Sequence, residues 1–300
     1  MNIVVTGGLG FIGSHIVNKL IIDGYNVSVV DNLYSGKIEK YNPKAMLWIK
    51  DICNTVELTN IFKGADVVFH TAAMPRVPLS IEKPQETHHN NVNGTLSVLV
   101  AARDAGVKRV IYSASSSAYG QQKSLPLGEE LIPNPLNPYA AQKLMGEIYC
   151  KIFSQIYGLE TICLRYFNCF GDGMDFDGAY ASVIGKFLKQ KKEGVPLTIA
   201  GDGKQTRDFT HVSDVVCANI AAMGIDKSQA TNGGIINIGS GENHSVNEIA
   251  NIVGGLFINI EGRKNEARDT LAYINKAKYV LNWEPKKKFI DGIRELMKEY

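Results

Sequence analysis

The first twenty-two residues limit the fold more than any other stretch of the chain. Ile3-Val4-Val5 is a short apolar run, and Gly7, Gly10 and Gly13 follow at three-residue spacing. Ile16, Val17, Leu20 and Ile21 then recur at helical spacing. This pattern predicts strand, tight turn, helix. Glycines at such a turn let the backbone approach a pyrophosphate, and the helix N-terminus adds free N–H groups and a favourable dipole. Many loops imitate a lone glycine triplet, so its surroundings decide. Val27 to Val30 reads as a second strand and ends in Asp31. A carboxylate there hydrogen-bonds ribose hydroxyls and repels a 2′-phosphate, which favours NAD over NADP. Further runs alternate with helical patterns: Met46 to Ile49, Val67 to His70 and Val110 to Tyr112. The expected fold class is α/β, a Rossmann-type doubly wound parallel sheet with ligands at the C-terminal ends of its strands.

Size and charge narrow the partners. The 300 residues are 45% hydrophobic and 21% charged, ample for a buried core in one large domain or two unequal ones. Net charge is +2, and Lys286-Lys287-Lys288 reads as a solvated face, so nucleic acid is not an expected partner. No apolar run reaches membrane-spanning length, and residues 1–6 already read as a strand, which leaves no room for a signal peptide. Cys53, Cys150, Cys163, Cys169 and Cys217 are odd in number and lack CxxC spacing. They fit reduced thiols in a cytoplasmic protein with no metal site. His70 ends a buried strand and reads as a hydrogen-bonded structural residue; His88 and His89 lack partners at metal-ligand spacing.

The chemistry is concentrated in Tyr139-Ala-Ala-Gln-Lys143, with Ser115 upstream. Tyrosine and lysine four apart share one helix face. The lysine cation can favour the tyrosinate, and a serine hydroxyl can bind the oxygen that gains or loses a proton. Beside a dinucleotide, such a trio suits hydride transfer at a carbon bearing a hydroxyl. Small residues Thr71-Ala72-Ala73 follow the strand ending at His70, where a cofactor must pass closely, and Asp51-Ile52 stand where adenine could be met.

TGGLGFIG, VVDN, HTAA, NNVNGT, SASSSAYG, YAAQK and LRYFN together resemble the extended short-chain dehydrogenase/reductase family, in its NAD-dependent nucleotide-sugar epimerase/dehydratase branch. The resemblance runs nearly end to end. It implies Tyr139 as catalytic acid/base, Lys143 on the nicotinamide ribose lowering the tyrosine pKa, and Ser115 as partner of the substrate O4. It also implies cofactor contacts at Gly7, Gly10, Phe11, Ile12, Gly13, Asp31, Asn32, Ser35, Gly36, Asp51 and Ile52. The nicotinamide side takes Thr71, Ala72, Ala73, Asn90, Ser113 and Tyr166. For the substrate it implies Ser115, Ser116, Asn168 and Val183, with Arg207 and Arg268 on the diphosphate. Two planar guanidiniums suit a diphosphate because each binds through paired, charge-assisted hydrogen bonds.

The family's 4,6-dehydratases place an Asp-Glu pair directly after the catalytic Ser/Thr, and its UDP-glucuronate decarboxylases a glutamate. Here Ser116-Ser117 stand there, and hydroxyls cannot replace a carboxylic acid/base pair in elimination. The expectation is 4-epimerisation of a UDP-hexose through a transient 4-keto sugar. In the family a gate position is bulky in enzymes confined to plain hexoses and small in those admitting an N-acetyl group. Thr270 falls there, and Gly178-Ala179-Tyr180-Ala181-Ser182-Val183-Ile184 resembles the same epimerases, so UDP-Glc/UDP-Gal and UDP-GlcNAc/UDP-GalNAc are expected substrates. Two departures stand out. Tyr273 replaces an aspartate common after the gate, and Pro75-Arg76 follows HTAA. Arg76 keeps UDP-glucuronate 4-epimerisation open as an alternative, along with another dehydratase or decarboxylase of the family. A non-catalytic NAD sensor would not need Ser115, Tyr139 and Lys143, and Asp31 opposes an NADPH reductase.

The organisation expected is an NAD-binding domain over 1–165, with segments returning to it near 210–240, and a mainly substrate-binding lobe over 166–300. Prolines 133, 135 and 138 mark Gly128 to Pro138 as a loop before the Tyr139 helix. Phe289 to Tyr300 reads as the last helix. A family-like homodimer would pair the helices Asn91 to Ala105 and Ala140 to Tyr157 with those of a second copy.

Overall fold

The computed structural model describes residues 1–176, 182–226, 233–262 and 265–299. Gly178-Ala179-Tyr180-Ala181 and Tyr300 lie outside the described residues. Six strands run in chain order: β1 (Asn2–Thr6), β2 (Asn26–Asp31), β3 (Met46–Ile49), β4 (Val67–His70), β5 (Arg109–Ser115) and β6 (Glu160–Tyr166). With the later strand Gly234–Ile238 they form a seven-stranded sheet in the order Gly234–Ile238, β6, β5, β4, β1, β2, β3. Every neighbouring pair is parallel. The order reverses between β1 and β4, where such sheets bind ligands.

The sheet is buried on both faces, as parallel sheets are. One core packs Ile3, Val5, Val29 and Phe69 against Ile16, Leu20, Val215 and Ala218; the other packs Val4, Val68 and Val110 against Leu58, Val98 and Phe153. The helix Val212–Gly224 thus packs with the first half of the chain. A separate cluster joins Ile184, Phe187, Ile199, Phe209, Ile249 and Phe289. It unites three helices, Val183–Lys192, Val246–Val253 and Phe289–Glu299, with the parallel strand pair Leu197–Ala200 and Phe257–Ile260.

Local chemistry sets the helix ends near the site. The helix α1 (Phe11–Ile22) starts directly from the glycine turn, with Gly10 as N-cap. The helix Pro138–Tyr157 starts with proline at its first position, where no N–H is needed, and Asn137 accepts from the Ala140 N–H at 3.0 Å. Pro138 therefore belongs to the helix rather than to the loop before it. The helix stops at Gly158, whose φ of 70° suits a residue without Cβ. The expected helix from Asn91 is in two parts, a π turn His89–Asn93 and an α-helix Gly94–Asp104. Turns of that kind occur often at functional sites, and this one carries Asn90.

Candidate active site

A cleft of about 910 Å³ runs across the C-terminal ends of the strands toward the smaller cluster. It collects nearly every residue expected from sequence, from Gly7 through Thr270. The exception is Asp51. Its carboxylate accepts from the Asn32 amide at 3.0 Å and from the Cys53 N–H at 2.7 Å, so it braces Asn32 instead of facing the cleft. Burial opposes its ionised form, but those hydrogen bonds prevail and hold it below the usual carboxylate range.

The glycine turn shows why its residues have no side chain. Gly7 has φ 69°, and a Cβ there would come within 2.6 Å of the Ala72 nitrogen. At Gly13 a Cβ would lie 2.1 Å from the Gly7 carbonyl oxygen. Beyond them α1 begins with no side chain capping it among the described residues, and Gly10, Phe11, Ile12 and Gly13 all line the cleft. The first-turn N–H groups of a helix have no partner within it, which makes this end fit a pyrophosphate. Asp31 is buried, and its oxygens accept from the Leu9 N–H at 3.0 Å and the Leu33 N–H at 2.9 Å. Gly36 is required beside it, since a Cβ would sit 2.5 Å from Asp31 Oδ1. The Asn90 Oδ1, buried at the other end of the cleft, has no partner among the described residues. A helix end open to an anion, a fixed carboxylate and an unpaired amide oxygen line one cleft, and together they fit a dinucleotide.

Tyr139 opens its helix, with its N–H donating to Ser80 Oγ at 3.0 Å. Tyr139 is part-buried, and loss of solvent around its phenol pushes its pKa up, while the neighbouring Ser115 hydroxyl and the charge of Arg76 pull it back. Ser115 receives two hydrogen bonds of its own, from the Ser117 hydroxyl at 2.8 Å and the Ser117 N–H at 3.2 Å. With its lone pairs so engaged, its proton remains available for donation. Lys143 lines the same cleft. Its Nζ donates to the Ser113 carbonyl at 2.8 Å and lies 5.0 Å from the Tyr112 ring centroid. Burial lowers its pKa to about 8, with Glu147 acting the other way. Lys143 lies one turn farther along the helix from Tyr139.

Two buried networks that sequence reasoning missed hold this arrangement. Asn91 brackets Met74, accepting its N–H at 2.7 Å and donating to its carbonyl at 3.1 Å. It also donates to Gln142 at 2.8 Å, and Gln142 donates to Thr87 at 3.0 Å. Glu147 takes a bidentate pair from Arg165 at 2.7 and 2.6 Å, and both side chains are buried. The Arg165 guanidinium lies 4.4 Å from the Tyr119 ring centroid. Tyr119 donates to Asn237 at 2.7 Å, and Asn237 donates to the Leu127 and Tyr273 carbonyls at 2.8 and 3.2 Å. Tyr166 is similarly engaged, with Ser113 at 3.1 Å and Asn219 at 2.9 Å.

The far end of the cleft is organised by Asp208. Its buried carboxylate accepts from the Ser240 N–H and hydroxyl, both at 2.7 Å, from Gly241 N–H at 3.0 Å and from Ala272 N–H at 3.1 Å. Burial nonetheless pushes its pKa up. The neighbouring strand Thr206–Asp208 places Arg207 in the cleft. Arg207 donates to the Thr206 and Arg268 carbonyls at 2.9 and 2.8 Å and lies 3.5 Å from Glu266. Arg268 pairs with Asp202 at 2.8 Å. Asn168 spends its amide N–H on the Asp208 carbonyl at 2.9 Å. Thr270 is buried, with its Oγ1 3.4 Å from the Asp208 nitrogen, and lines the cleft. Tyr273 is half-exposed and accepts from Asn275 at 2.7 Å, which places the departure at that position on the outside. Val183 follows Ser182, the N-cap of its helix.

His70 is structural, with Nδ1 2.8 Å from Thr6 Oγ1 and Nε2 3.0 Å from Thr95 Oγ1. Among the described residues no group of three or more His, Cys, Asp or Glu is placed to hold a metal ion. No helix among them is long and apolar enough to cross a membrane.

Comparison with known proteins fits this geometry. The chain is 38% identical over 303 residues to a putative UDP-glucose 4-epimerase of Methanocaldococcus jannaschii, covering 98% of this chain and 97% of the relative. Among solved structures it resembles the UDP-N-acetylglucosamine 4-epimerase of Methanobrevibacter ruminantium in complex with UDP-N-acetylmuramic acid, at 37% identity and TM-score 0.92, covering 99% and 97% of the two chains. It also resembles the UDP-glucuronic acid 4-epimerase of Bacillus cereus in complex with UDP-glucuronic acid and NAD, at 32% identity and TM-score 0.91, covering 100% and 99%. Residues 3–239 match the family model of the NAD dependent epimerase/dehydratase family, to which this chain, an NAD-dependent enzyme, belongs.

Proposed function

We propose that the protein interconverts UDP-hexoses at C4, acting on UDP-Glc/UDP-Gal and on their N-acetylated forms. The observation that carries this reading is the Tyr139–Ser115–Ser117 arrangement. A part-buried phenol lines the same cleft as Ser115, and the position held by carboxylic acids in dehydratases is a serine that hydrogen-bonds Ser115. As phenolate, Tyr139 takes the O4 proton and later returns it; Ser115 stabilises that oxygen throughout. NAD, when bound, supplies the acceptor that makes the C4 oxidation reversible. Arg207 and Arg268 hold the diphosphate as a tether while the flat 4-keto ring turns its other face to the cleft floor. In this reading Lys143, held on the Ser113 carbonyl, also binds the nicotinamide ribose.

Thr270 supports the wider sugar range, because a small side chain at the cleft wall leaves room for an acetamido group. The test is to incubate the protein with UDP-Glc, UDP-GlcNAc, UDP-GlcA and dTDP-Glc and follow products by NMR. We expect 4-epimers from the first two and loss of the N-acetylated activity in Thr270→Tyr. A 4-keto-6-deoxy product would defeat the proposal. Tyr139→Phe should lower kcat by roughly 10²–10⁴-fold.

A second copy of the chain is the partner proposed. On the Pro138–Tyr157 helix, Met145, Ile148, Ile152 and Ile156 form an exposed apolar stripe at helical spacing. A native mass twice that of the chain, measured by light scattering, is the expected result.

A further inference from the structure

One ion pair in the cleft has, beyond its charge near the phenol, no part in holding the sugar in the reading above. Arg76 Nη2 and Asp175 Oδ2 lie 3.1 Å apart, both half-buried, and both residues line the cleft. Each is held independently. Arg76 is the N-cap residue of the helix Val77–Glu82, whose Ser80 Oγ accepts the Tyr139 N–H at 3.0 Å. The guanidinium is thus tied to the start of the Tyr139 helix, close enough for its charge to act on the phenol. Asp175 ends a segment fastened to the cofactor-binding half at two other points. His15 Nε2 lies 2.9 Å from the Asp172 carbonyl, and Lys40 Nζ donates to the Gly173 carbonyl at 2.6 Å. Met174 between them is buried in the smaller core. The pair therefore lines the same cleft as the phenol and is tied through Ser80 to the start of the Tyr139 helix.

We propose that Arg76 and Asp175 read the charge of the sugar, Asp175 occupying Arg76 and repelling carboxylates so that uncharged UDP-hexoses are preferred. The inference rests on the nucleotide-sugar reading and extends it to substrate class. The physical argument is one of exchange. A part-exposed ion pair contributes little to stability, so it can be broken at small cost. A hexuronate offers its own carboxylate to Arg76 but must bring it against Asp175, and like charges in contact are disfavoured by design against the wrong ligand. A neutral hexose leaves the pair intact.

The test is the ratio of affinities for UDP-GlcA and UDP-GlcNAc, measured by calorimetry on NAD-loaded protein with product NMR alongside. Asp175→Asn removes the repelling charge and keeps Arg76. The ratio should then move toward UDP-GlcA by about tenfold or more, as a new charge-assisted bond would give. Adding Arg76→Met to Asp175→Asn should abolish the gain. An unchanged ratio in Asp175→Asn, or a gain that survives in the double variant, overturns the proposal. Failure of the underlying reading looks different. In that case wild-type protein epimerises no UDP-sugar, while the shift in affinity with Asp175→Asn is still present.

Discussion

The two ends of the cleft hold their polar groups in different ways. At the cofactor end the anchors are main chain or deeply buried: Asp31 on two backbone N–H groups, Lys143 on a carbonyl, Glu147 on Arg165. At the arginine end Asp208 is held as deeply on backbone N–H groups, but the two arginines are paired to carboxylates nearer the surface. The side chains of Arg207 and Glu266 are 18% and 28% exposed, and those of Arg268 and Asp202 are 55% and 48% exposed. A buried pair cannot exchange partners without leaving a charge uncompensated, whereas an exposed pair can hand its guanidinium to a phosphate at little cost. The difference suits a cofactor that stays through many turnovers and a substrate that must enter, turn over and leave.

The sharpest way to break that comparison is at Glu147. Glu147→Gln leaves the Arg165 guanidinium buried against a neutral amide and should lower unfolding stability by about 3–5 kcal/mol in urea titrations. A loss under about 1 kcal/mol would mean that the cofactor end is no more rigidly built than the other. At the diphosphate end the effects should be smaller and should fall on binding. Arg207→Met is expected to raise KM for the UDP-sugar by roughly ten- to a hundredfold with kcat little changed, the pattern of a group that binds ground and transition states alike. Arg268→Met should do the same more weakly, because Arg268 is the more exposed. Equal effects would remove the distinction between the two arginines.

The contrast also marks what could be read from sequence. The glycine turn, Asp31 and the Tyr139–Lys143 spacing are legible because each is a local requirement: a positive φ at Gly7, a carboxylate at a strand end, one face of a helix. The expected sheet is present for the same reason. What was not legible depends on partners far along the chain. Arg207 was singled out, but its neighbour Asp208, whose carboxylate joins Ser240, Gly241 and Ala272, was not. Glu147 gave no signal either, since a glutamate in a helix looks solvated until Arg165 is placed against it. The Ser113 carbonyl that holds the Lys143 ammonium gave no signal, since β5 brings it near only in the fold. The bracing of Asn32 by Asp51, which also accepts the Cys53 N–H, gave no signal either.

The smallest expected effect comes from the same buried end and sharpens the comparison through pH. His70 is held between Thr6 and Thr95, and burial, aided by the charge of Lys143, lowers its pKa to about 3. In the unfolded chain the imidazole titrates near 6.5. Below that pH the unfolded state takes up a proton that the folded state refuses, so stability falls on acidification between about pH 6.5 and 3 and is constant in this respect above pH 6.5. One such group contributes a slope of about 1.4 kcal/mol per pH unit. His70→Gln keeps a side chain able to bond both threonines but removes the titration. Its unfolding free energy, measured at pH 5 and pH 7, should depend on pH less steeply than that of the wild type by about one proton. Equal slopes in the two proteins would show that His70 protonates within the folded state. The cofactor end would then admit a charge as readily as the arginine end does.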